Sequence, residues 1–164
     1  FTATDPLGQD PSIAEITEGS FKVDYISSPG DTVTNFSAFI DGEFFGPDSI
    51  FVGETTFNGL SCFNITAIIS DSGQKMGLFF PIDIEIGTYD MTTNLIDGSE
   101  KFCQYTLEIG VSTTFISNPG TLTILDYDQD AGIVEGTFTY TATDLTSQDP
   151  EVYQVTGGEF TIEF

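Results

Sequence analysis

Apolar and polar residues alternate with a period of two along most of the chain, and no window places apolar side chains at helical spacing over three turns. The pattern predicts an all-β protein of short antiparallel strands. Thr34 to Phe45 reads as a hairpin, with Asp41-Gly42 supplying the left-handed backbone angles of a tight two-residue turn. Ile50 to Phe57 follows a Gly46-Pro47-Asp48-Ser49 break. Leu60–Ile69 and Lys75–Ile82 form a second hairpin around Ser70-Asp71-Ser72-Gly73, with Phe79 and Phe80 buried and Pro81 at a strand end or edge. Ile84–Met91, Phe102–Val111 and Thr113–Ser117 come next. Pro119-Gly120 reads as a turn into Thr121–Tyr127, and an acidic loop leads to Ile133–Thr143. Strands of this length and number predict a two-sheet antiparallel sandwich, with a partly closed β-barrel as the alternative.

The two ends of the chain repeat each other. Phe1 to Tyr25 aligns without a gap on Tyr140 to Phe164, with 10 of 25 positions identical, among them Thr2/Thr141, Ala3/Ala142, Gly19/Gly158 and Phe21/Phe160. Such a match implies a tandem array with a period of 139 residues. Residues 1–25 are then the closing strands of a preceding repeat, or a segment donated between subunits, and residues 26–164 are one complete sandwich. The boundary falls in the turn-rich run Ser27 to Asp31. Ile13, Ile16, Phe21, Val23 and Tyr25 form an apolar strand face with a bend at Glu18-Gly19. That face is expected to contact the neighbouring repeat across a stiff junction.

Charge narrows the partners. Three lysines, no arginine and no histidine stand against 26 carboxylates, for a net charge of −23. Phosphate backbones need clustered basic residues, so nucleic acid is excluded as a partner, and an anionic membrane surface is disfavoured by the same repulsion. No apolar run is long enough to insert in a membrane. The acidity suits solubility and salty or calcium-rich surroundings, which points outside the cell.

Cys62 and Cys103 each sit in a strand-like run. They are expected to form a disulfide closing a loop of about 40 residues; the alternative is two separate buried thiols. Asp126, Asp128, Asp130 and Glu135 place carboxylates at positions 1, 3, 5 and 10 of one loop, the alternating Asp being the pattern by which short loops wrap a hard cation, and make a candidate calcium site. A plain acidic turn explains the same residues, and no other cofactor is indicated. Asp71-Ser72-Gly73 matches the Asp-Ser-Gly of aspartic proteases, but that chemistry needs two aspartates sharing a proton, and only one such motif is present. No histidine is available as a base, so no catalytic residue is assigned and the chain is read as a non-enzyme. Asp31-Thr32-Val33 and Asp48-Ser49-Ile50 fit a short O-glycosylation acceptor pattern at Thr32 and Ser49. Asn35 and Asn64, in sequons, are expected on outward strand positions.

The runs Phe36 to Phe44, Ile84 to Tyr89, Gly120 to Asp128, Ile133 to Ala142 and Gly158 to Ile162 together resemble a family of secreted Bacteroidota lipoprotein domains of unknown function. The resemblance implies a cell-surface β-domain and carries no catalytic residues. The tandem arrangement departs from a lone lipoprotein domain. The expected role is therefore a structural repeat of an extracellular stalk, adhesin or filament, partnered by neighbouring copies of itself. The alternative is a glycan-binding module whose exposed Tyr and Phe contact surface glycans.

Overall fold

The computed structural model of the chain describes Thr2–Ala3, Ala14–Glu15 and residues 34–93, 96, 98–108, 114–146 and 151–164. The chain divides into two compact units, Phe1–Asp31 and Thr32–Phe164. In the first, β1 (Thr2–Ala3) pairs antiparallel with β2 (Ala14–Glu15).

The second unit is one curled antiparallel sheet, a half-barrel. Its strands are β3 (Asn35–Ile40), β4 (Glu43–Phe45), β5 (Ser49–Phe57), β6 (Leu60–Ile69), β7 (Gln74–Pro81), β8 (Gly87–Asp90), β9 (Phe102–Thr106), β10 (Phe115–Asp128), β11 (Ile133–Thr143) and β12 (Val152–Glu163). They run in the order β4-β3-β12-β11-β10-β9-β7-β6-β5, with β8 sharing the β9 side of β10. Asp41 and Gly42 both have positive φ at the β3–β4 turn, and Asn58 and Gly59 make the same turn between β5 and β6.

Pro119-Gly120, expected as a turn, instead lies inside β10. A register shift between Ser117 and Gly120 lets the 14-residue strand bend and continue. This bulged strand carries the sheet from one half to the other, which is why the fold is a single curled sheet. Pro81 ends β7 opposite Cys62, beyond the last β9 pair at Phe79, so its missing N–H costs no ladder bond.

Curling brings the two halves face to face over an aromatic core. Phe80 packs on Phe160 at 5.8 Å and Phe63 on Phe164 at 4.7 Å, while Phe138 lies between Phe36 and Phe160. The free edges are the three-residue β4 and the nine-residue β5. Each carries a glutamate at a core-side position, Glu43 opposite Ile40 and Glu54 opposite Phe63. Both side chains are exposed, and such charge on an edge strand discourages edge-to-edge pairing.

The expected disulfide does not form: both cysteines are free and buried. Strand parity gives the reason. Cys103 pairs with Leu78 and faces the core, whereas Cys62 lies beside Phe63 on the opposite face, where its thiol donates to the Gly98 carbonyl at 3.1 Å. With β7 between their strands, and Pro81 and Leu78 offset along it, they stand about 14 Å apart, beyond the roughly 7 Å that a disulfide spans between Cα atoms.

Candidate functional site

The repeated segment reappears in the strand pairing. β1 and β2 join Thr2 to Glu15 and Ala3 to Ala14; β11 and β12 join Thr141 to Gln154 and Ala142 to Tyr153. These are the same pairs displaced by the sequence period, so the two hairpins share one register.

β12 is an interior strand between β11 and β3. Its core-facing residues are Val155, Gly158, Phe160 and Ile162, all buried. The leading segment puts Ile16, Gly19, Phe21 and Val23 at the matching positions. Gly158 is required there: a Cβ would stand 2.4 Å from the Phe138 ring and 2.6 Å from the Phe138 carbonyl oxygen. The β3–β12 register slips between Thr156 and Glu159, the counterparts of Thr17 and Ser20, which brackets the bend expected at Glu18-Gly19. Ile13, Ile16, Phe21, Val23 and Tyr25 themselves lie outside the described residues. Of their counterparts, Val152 is exposed, while Phe164 rests on Phe63 and Tyr127.

Position 140 carries a cost that its repeat avoids. The Tyr140 hydroxyl is fully buried with no hydrogen-bond partner among the described residues, and burial holds its pKa well above the ordinary phenol value. Phe1 stands at the matching place. Leaving a buried hydroxyl unpaired costs about 1–3 kcal/mol, so Tyr140→Phe is expected to leave the melting temperature unchanged or raise it by a few degrees. A fall of several degrees would reveal a bond to that hydroxyl.

A cleft of about 320 Å³ opens at the end of the half-barrel where β3 turns into β4. It is lined by Ile40, Asp41, Glu43, Phe44, Phe45, Gln74, Tyr105, Leu107 and Tyr153. Tyr105 meets the Tyr153 ring edge-on at 5.6 Å. Burial, then Tyr153, Asp41 and Glu43, push the Tyr105 phenol up to about 12, so it stays a neutral hydroxyl. Neither phenol has a hydrogen-bond partner among the described residues. Asp41 commits Oδ1 to the Gln154 N–H at 2.8 Å. The strand patterning of Tyr105 and Tyr153 is that of any core residue, so sequence reading missed this cleft. Its one signal is the pair of carboxylates flanking the Asp41-Gly42 turn.

The acidic loop is the β10–β11 turn. Asp126 lies directly across from Glu135, and Asp128 across from Ile133. Asp126 Oδ1 accepts the Tyr127 N–H at 2.8 Å and Asp128 Oδ1 the Ala131 N–H at 2.8 Å, so both carboxylates brace the turn. Asp130 is exposed at its tip. Among the described residues no three of these groups converge as metal ligands would.

Ser49 begins edge strand β5, and its hydroxyl donates to Asp48 at 2.9 Å. Asp48 also accepts from the Ser70 N–H and hydroxyl, and these bonds, the Ser70 hydroxyl first, hold its carboxyl below the usual range. Thr32 lies outside the described residues. Asn35 and Asn64 are exposed, as strand parity predicts. Ser70 to Gly73 closes the β6–β7 hairpin, with Gly73 at φ 73° and its N–H on the Ile69 carbonyl.

These features define an all-β domain with an aromatic core, an acidic cleft and a terminal segment whose sequence is repeated at residues 1–25. No family model, curated protein or solved structure matches it. Among the described residues no helix is long and apolar enough to cross a membrane.

Proposed function

We propose that residues 26–164 are one structural repeat of an extracellular bacterial stalk, adhesin or filament, and that residues 1–25 are the closing strands of the unit before it. The observation that carries this reading is the shared register of the two hairpins on top of their gapless sequence match. Chance similarity of composition would not reproduce which residues face each other.

The topology sets how such a repeat would work. Asn35 at the start of β3 lies across from Thr161 near the end of β12, so the chain enters and leaves the unit at one end. In an array, successive units hang from short connecting runs, and pulling on the chain unzips β3 from β12 one bond at a time. The end holding the cleft, where Ile40 pairs with Val155, faces away from those connections. Strong negative charge keeps neighbouring units soluble and apart. Neighbouring copies are thus the primary partners, and the work of the array is reach and repeated display.

The complete reading frame tests the array. Further copies are expected at a spacing near 139 residues, with the sequence after Phe164 resuming in the manner of Ile26. A reading frame with no further copy on either side would overturn it.

A further inference from the structure

The geometry points to the cleft at the β3–β4 end as a binding site for an alkyl ammonium group, such as a lysine side chain presented by a partner polypeptide. Two observations converge. Tyr105 is only 1% exposed, lines the cleft, and has no hydrogen-bond partner for its hydroxyl among the described residues. That hydroxyl opens onto the cleft, so an incoming donor can complete it in place of water. Asp41 and Glu43 stand at the same opening, and their charges act on the Tyr105 phenol.

Among the described residues no cation of this chain serves the site. Lys75 neighbours Gln74 but has the opposite strand parity, on the face away from Met76 and the core. Lys101 lies over the Tyr89 ring at 4.8 Å and donates to the Ser99 carbonyl. Lys22 lies outside the described residues.

The donor and acceptor balance selects the ligand. Carboxylates only accept hydrogen bonds, phenol oxygens can accept them, and an ammonium only donates. A sugar needs both kinds in comparable number, and Gln74 offers the cleft's only amide. Phe44 and Tyr153 give an ammonium π-faces, and Ile40 and Leu107 give its methylene stem an apolar wall. The surrounding charge of −23 concentrates cations at the opening.

The test is an NMR titration of the whole chain, following the tyrosine ring protons at constant ionic strength. The probes are N-acetyl-lysine methylamide, its neutral norleucine counterpart, and a panel of methyl glycosides. The lysine probe is expected to shift the Tyr105 and Tyr153 rings and saturate, with the norleucine probe weaker by roughly tenfold. Glu43→Gln, at an exposed position, is expected to weaken the lysine probe by about threefold without altering the fold. Equal or tighter binding of the norleucine probe or a glycoside would overturn the proposal. So would the absence of any ring shift, or a Glu43→Gln chain that binds lysine as well as the parent.

Discussion

Replacing Phe138 with Ala is expected to destabilise the second unit by about 3–5 kcal/mol, a large share of the 5–15 kcal/mol typical of a whole domain. The ring is buried at the centre of the aromatic core, 5.2 Å from Phe36, 6.3 Å from Tyr140 and 6.4 Å from Phe160. It is also the surface that forces a glycine at position 158. Gly158→Ala alone is expected to cost about 1–3 kcal/mol by overpacking. In the Phe138→Ala background the ring clash is gone and only the contact with the carbonyl oxygen remains, so Gly158→Ala should cost about 1 kcal/mol less there. Denaturant unfolding of the two single variants and the double variant measures this coupling. Strict additivity would mean that the glycine is not dictated by the ring.

The second large effect concerns the leading segment, read through its counterpart. Residues 26–139 fused directly before Phe1 place the segment that matches the β11–β12 sequence behind the strands that the proposed repeat would have it complete. If residues 1–25 close a unit, Phe21 is expected in that fusion to take the place that Phe160 holds in the second unit, against rings equivalent to Phe80 and Phe138. Phe21→Asp then buries an unpaired charge and is expected to cost about 4 kcal/mol or more, unfolding the front unit alone. Phe160→Asp should unfold the rear unit alone. Resolved amide signals of the two units report which one is lost. Loss of both with either variant, or of neither, would show that the segment does not fill a β12 position.

Much of this fold is legible in the sequence because strands and tight turns write themselves locally. Alternation placed most strand runs, Asp41-Gly42 gave its hairpin, and Phe79, Phe80 and Pro81 fell where their chemistry requires. What depends on the relation between strands is not written locally. Pro119-Gly120 has turn chemistry, yet a bulge uses the same residues to continue β10. Each cysteine's parity within its strand is readable, but which parity faces the core is set by neighbours, and the two chose opposite faces. Tyr105 and Tyr153 come from strands distant in sequence, and their meeting with Asp41 and Glu43 exists only once the sheet curls. The repeat is the exception. It was legible because it compares the chain with itself, and the pairing of Thr2 with Glu15 and of Thr141 with Gln154 follows the same alignment.

Calorimetry of the fusion of residues 26–139 to Phe1–Phe164 tests the repeat most directly. If residues 1–25 close a second unit, the unfolding enthalpy should be roughly double that of the 164-residue chain, since enthalpy scales with the number of folded residues. An enthalpy equal to that of the parent chain, with the added residues unfolded, would contradict it.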